Sequence, residues 1–171
     1  PAIQASSKRA LEAGGSLKRT LDMVRLFRKK NNFTPIILMG YYNPIYNFGV
    51  QKFLIEVIEA GADGLIVVDL PPEEDQELCI PAKECNLPFV RLTAPTTSNE
   101  RLTTVLQNAT GFIYYVSITG ITGTKDVPID LVTHAVENLK QHSKLPIKVG
   151  FGIKPREHVE QVTRIADAAL V

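Results

Sequence analysis

Apolar positions along the chain fall into two patterns that take turns. Short compact runs read as strands: Thr34 to Met39, Leu65 to Val68, Phe89 to Leu92, Phe112 to Val116 and Ile147 to Val149, with Ala168 to Val171 starting another. Leu65 to Val68 contains no polar residue, as expected for a strand covered on both faces of a parallel sheet. Between the runs, apolar residues recur at helical spacing. Leu17, Leu21, Val24 and Phe27 follow a capping Ser16, and Val50, Phe53, Leu54, Val57 and Ile58 are closed by Gly61. Thr97 with Glu100 forms a capping box for Leu102, Val105 and Leu106. Ile129 to His142 and Pro155 to Ile165 complete the helical set. Pro1 to Gly15 is polar and stops at Gly14-Gly15, Gly40 to Gly49 reads as an aromatic loop, and Pro81 kinks or splits the helix that Pro72 opens.

Strand and helix therefore alternate about six times, which predicts parallel strands joined by right-handed helical crossovers in one domain spanning residues 1–171. Two architectures fit: an open doubly wound sheet and a (β/α)₈ TIM barrel. The barrel needs eight units and about 250 residues. The loops richest in unusual residues all follow strand C-termini, where both folds place their sites. A phosphate-type turn after a late strand favours the barrel. The expectation is a (β/α)₈ barrel of which about six of eight units are present.

Composition narrows the function classes. The 171 residues are 44% hydrophobic and 22% charged, ordinary for a domain with a real core. A net charge of +1 gives no electrostatic argument for nucleic acid or an anionic membrane. No apolar stretch is long enough for a membrane span. Two cysteines, Cys79 and Cys85, form neither a disulfide framework nor a metal motif and suit a reducing, cytoplasmic compartment. His134, His142 and His158 fall on helices without ligand-spaced partners.

Candidate chemistry gathers at the loops. In Lys148-Val149-Gly150-Phe151-Gly152-Ile153 a strand runs into two glycines and then Pro155, a turn where backbone N–H groups and a helix start suit an anion such as phosphate. Ser117 to Asp126, rich in Thr-Gly pairs, reads either as a lid over a ligand or as a solvated connector. Tyr114 and Tyr115 point to opposite faces, one into the barrel. Asp69, at a strand end, is either an acid/base or hydrogen-bond partner near a ligand or the cap of the helix at Pro72, with Glu73 and Glu74 solvated in its first turn. Lys148 is either a Schiff-base lysine or a snorkelling one.

Five stretches occur in order: Pro1-Ala2-Ile3-Gln4-Ala5-Ser6, Met39-Gly40-Tyr41-Tyr42-Asn43-Pro44, Asp69-Leu70-Pro71-Pro72-Glu73-Glu74, Thr119-Gly120-Ile121-Thr122-Gly123 and Gly150-Phe151-Gly152-Ile153. Together they resemble the tryptophan synthase alpha subunit family over the whole chain. The resemblance implies a lyase that cleaves indole-3-glycerol phosphate to indole and glyceraldehyde 3-phosphate, without a metal or a cofactor of its own. It implies an alpha2beta2 assembly with a beta subunit that holds pyridoxal phosphate. By position it implies Tyr114 beside the indole ring, Met39, Ile66, Val68 and Leu92 lining the indole pocket, and Gly123 and Gly152 at the phosphate with Phe151 beside them. Thr122 would steady a catalytic aspartate, and Asn43, Asn47 and Pro71 would meet the beta subunit. It also implies that the two catalytic carboxylates precede Pro1 and that a Gly-Ser phosphate turn follows Val171, so this chain alone is expected to be inactive. Two other readings stay open: a Schiff-base aldolase using Lys148, and a non-catalytic barrel module that binds a beta-type partner.

Overall fold

The computed structural model describes residues 2–117, 129–150, 152–153 and 156–171. The elements run α1 (Ala2–Glu12), α2 (Leu17–Arg28), β1 (Ile37–Gly40), α3 (Tyr42–Phe48), α4 (Val50–Ala60), β2 (Gly64–Val67), a 3₁₀ segment (Pro72–Glu77), α5 (Cys79–Glu84), β3 (Phe89–Thr93), α6 (Asn99–Leu106), β4 (Ile113–Val116), α7 (Ile129–His142), β5 (Ile147–Gly150), α8 (Arg156–Thr163) and β6 (Ala168–Leu170). All six strands are parallel and stand in the order β1-β2-β3-β4-β5-β6. A doubly wound sheet reverses its strand order and carries helices on both faces. With strands in sequence order, right-handed crossovers put every helix on one face. The strands are thus successive staves of a (β/α)₈ barrel.

Alternation along each strand separates two cores. Outward residues pack on the helices in two clusters. One joins Leu65, Val67 and Phe89 to Leu21, Phe53, Leu54 and Val57. The other joins Ile113, Tyr115, Ile147 and Val149 to Leu102, Val132, Val136 and Val162. Inward residues form a third cluster, in which Ile37, Leu92 and Tyr114 pack on buried Ile66, Val90 and Phe112.

Several local expectations are corrected. The strand expected from Thr34 starts at Ile37. Pro35 has no N–H to give a ladder, the Thr34 carbonyl accepts from Arg28 Nη1, and the Ile36 N–H donates to Asp63. The aromatic stretch from Gly40 to Gly49 is no loop: it contains α3, stopped by Gly49 at φ 94°. Its cap comes from another segment, Asp69 Oδ1 accepting the Tyr42 N–H at 2.7 Å. The capping box at Thr97 is displaced by one residue: Ser98 caps α6 by accepting from the Arg101 N–H, while the Thr97 hydroxyl accepts from the Ala94 N–H. The helix opened by Pro72 is indeed split, at Leu78 (φ −148°, ψ −41°), so Pro81 falls in the first turn of α5, where its missing N–H costs nothing.

Candidate functional site

The inner face of the sheet assembles a wall. Met39 stands opposite Ile66, Leu92 opposite Tyr114, and Tyr114 opposite Lys148. A period of two thus brings Met39, Ile66, Leu92 and Tyr114 to the same face. Val68 lies one residue beyond β2, yet its N–H still donates to the Gly40 carbonyl, extending the alternation to it. Ile66 is buried, Leu92 and Tyr114 half-buried, and Met39 and Val68 stand open at 58% and 38% exposure. Burial raises the Tyr114 hydroxyl above the ordinary tyrosine range, so it stays a neutral donor and acceptor. Tyr115, on the opposite face, is sealed among the helices.

The Tyr114 ring lies across the backbone of Gly150. A Cβ at Gly150 would sit 2.6 Å from both Tyr114 Cε2 and the hydroxyl oxygen. Only glycine lets the ring come this close to the end of β5. The Gly150 carbonyl accepts from the Ser117 N–H at 3.0 Å and from the Ser117 hydroxyl at 2.8 Å, which fixes the ends of β4 and β5 to each other. Two residues on, Gly152 takes φ 79°, the left-handed region where a side chain is strained. The wall therefore ends against a glycine turn just ahead of α8. Thr122, Gly123 and Phe151 lie outside the described residues, as do most of the expected lid and Pro155.

Lys148 faces inward too. Its ammonium stands 4.0 Å from the centroid of the Phe112 ring, a cation–π contact on the inner face. Reading inward by alternation from Ile37 to Leu170, the described strands contribute no Asp, Glu or His to this face. Asp69 is exposed, and its carboxylate holds the start of α3 rather than the segment at Pro72. Among the described residues no three His, Cys, Asp or Glu side chains come together as a metal site, and no helix is long and apolar enough to cross a membrane.

The positions expected at a partner lie together on the outside. Asn43 and Asn47 are exposed on α3, and Pro71 is exposed on the loop after β2. Tyr41 and Tyr46 stand beside them at 56% and 62% exposure. The two segments are joined by the Asp69–Tyr42 bond and by the Tyr42 hydroxyl, which donates to Glu77 Oε2 at 2.8 Å.

Sequence reading missed the charge buried behind this face. Arg91, 4% exposed, points outward from β3 and pairs with Asp75, 6% exposed. Burial lowers the guanidinium to about 10, so it remains charged at neutral pH. One signal was available: an arginine inside an apolar run that ends up covered on both faces needs a buried partner. Glu73 and Glu74 are exposed, as their place in a first turn suggests, whereas the next carboxylate, Asp75, is buried. Glu73 is on the surface, held down to about 2 by its hydrogen bonds from Arg101.

Residues 1–171 match the family model described as tryptophan synthase alpha chain. A crystal structure of tryptophan synthase subunit alpha from Legionella pneumophila is similar at 42% identity and a TM-score of 0.87, covering 100% of this chain and 63% of its own. A protein from Aquifex aeolicus VF5 is similar at 36% identity and a TM-score of 0.88, covering 100% of this chain and 64% of its own. A structure reported for mutual activation of the tryptophan synthase a2b2 complex from Pyrococcus furiosus shares 39% identity at a TM-score of 0.87, covering 99% of this chain and 68% of its own. The chain thus spans about two thirds of the length of these relatives.

Proposed function

The chain belongs to the tryptophan synthase alpha chain family, and on that premise we propose that it supplies the substrate-binding wall of a lyase that splits indole-3-glycerol phosphate into indole and glyceraldehyde 3-phosphate. The observation that carries this reading is the continuity of the inner face. Apolar Met39, Ile66, Val68 and Leu92 and the edge of Tyr114 suit an indole ring, and the wall runs into the Gly150–Gly152 turn, which suits a phosphate. One face thereby offers an apolar slot and an anion turn, the two ends of an indole-bearing phosphate ester.

Cleavage of the carbon–carbon bond needs an acid to protonate the indole carbon and a base to take the hydroxyl proton. The inner face of the described strands supplies neither as a carboxylate, so we assign these roles to residues outside this chain. Here Tyr114 orients the ring, while Gly152, with Gly123 and Phe151, serves the phosphate end and Thr122 supports the closed site. No cofactor is assigned to this subunit. Pyridoxal phosphate belongs to a beta partner that docks on Asn43, Asn47 and Pro71 in a cytoplasmic alpha2beta2 complex. The inward ammonium of Lys148 favours an aldolase as the second reading; its place over Phe112 makes it a packing cation here, and borohydride with substrate should leave no adduct on it.

Ligand binding to the full-length protein separates the two ends of the wall. Gly152→Val should weaken glyceraldehyde 3-phosphate while free indole still binds. Tyr114→Leu should do the reverse. Equal losses for both ligands in both variants would place the site elsewhere.

A further inference from the structure

Alternation on β3 turns Leu92 into the wall and Arg91 to the other side, under the loop that follows β2. That loop is fixed at its ends by the buried side chains of Leu70 and Leu78. Pro71 and Pro72 have no N–H to donate, and the segment lies past the end of the strand ladder. Its buried polar anchorage centres on one guanidinium, while Arg101 pairs with Glu73 at the surface. Arg91 Nη1 donates to the Leu70 carbonyl at 2.9 Å, Nη2 pairs with the Asp75 carboxylate, and the guanidinium carbon stands 4.8 Å from the centroid of the Phe89 ring. Asn108 Nδ2 donates to the other Asp75 oxygen at 2.8 Å. The residues flanking these two anchors hold α3: Asp69 takes the Tyr42 N–H and Glu77 takes the Tyr42 hydroxyl.

We propose that Arg91 is a positioning residue for the docking face, setting the loop from Asp69 to Glu77, and through it α3, in the geometry a beta subunit meets. This rests on the reading of that face given above. A fork-shaped cation is what the place requires, since two acceptors on different parts of the loop are served by two nitrogens of one rigid group. Stability alone does not account for it, because a buried ion pair contributes little net stability compared with apolar residues of similar volume.

That difference supplies the test. In the full-length protein, Arg91→Met with Asp75→Leu removes both charges together and should leave the melting temperature near that of the wild type. Amide exchange between Leu70 and Leu78 should quicken by about tenfold or more, and affinity for a tryptophan synthase beta subunit should fall by about tenfold, as the loss of a hydrogen bond to a charged group implies. Unchanged exchange and unchanged affinity in a folded double variant would overturn the proposal. If the double variant does not fold, Arg91→Lys replaces it: one ammonium keeps the charge against Asp75 and releases the Leu70 carbonyl, with the same two readouts. Failure of the wild type to bind any beta subunit would overturn the partner reading, and the exchange measurement would then decide the role of Arg91.

Discussion

Gly150 and Tyr114 act as one unit at the scale of single residues. A methyl group at Gly150 meets the Tyr114 ring head-on, so Gly150→Ala must move the ring off β5 and into the space the wall leaves for a ligand. We expect weaker indole binding in Gly150→Ala and partial recovery when Tyr114→Leu is added. A double-mutant cycle should show coupling of about 0.5–3 kcal/mol, as for residues in contact; strict additivity would mean that the ring does not lie there. A second residue-scale outcome concerns acid. The Glu73 carboxyl is held at about 2 in the fold by Arg101, against an ordinary 4.5. A folded value below the unfolded one stabilises fully above about pH 4.5 and is lost as pH falls toward 2. The ion pair is exposed, so the effect is small. Urea midpoints of Glu73→Gln and the wild type should differ most near neutral pH and converge toward pH 2; a constant difference would remove the pair from the account. A period of two showed that Tyr114 and Tyr115 face opposite ways; the family resemblance, not the period, singled out Ile66, Leu92 and Tyr114 as inward residues. The Arg91–Asp75 pair was not legible, because its partner comes from a separate loop that no local pattern specifies.

Elements were read well where their signals are local and poorly where their caps are borrowed. Ser16 accepts from the Arg19 N–H at the start of α2, and Gly61 ends α4 at φ 87°, both as their sequence neighbourhoods indicate. The helix α3 escaped notice because Tyr41, at its N-cap position, makes no side-chain cap bond and the acceptor is Asp69, 27 positions away from Tyr42. Asp69→Ala should therefore destabilise α3 rather than the segment after Pro72. A loss of about 0.5–2 kcal/mol is expected for a lost helix cap, with faster amide exchange confined to Tyr42 through Phe48. Protection lost instead in Pro72–Glu77 would contradict the assignment. The strand at β1 was read three residues too early for a similar reason: side chains of Arg28 and Asp63 take the backbone groups that a ladder would have used.

For the molecule as a whole, alternation of patterns led directly to parallel staves, and the sequential strand order decides between a barrel and a doubly wound sheet. Function at this scale is a division of labour. On the proposed reading the staves described here bind, and the inner face of the described strands carries no carboxylate to move protons. Indole release from indole-3-glycerol phosphate tests this most directly, measured on the 171-residue polypeptide, its ends confirmed by mass, and on the polypeptide extended to the length of its structural relatives. General acids and bases contribute about 10²–10⁴-fold each, so the account predicts no release above background from the first and steady turnover from the second. Comparable turnover from both would place the proton transfers within these residues and contradict the account.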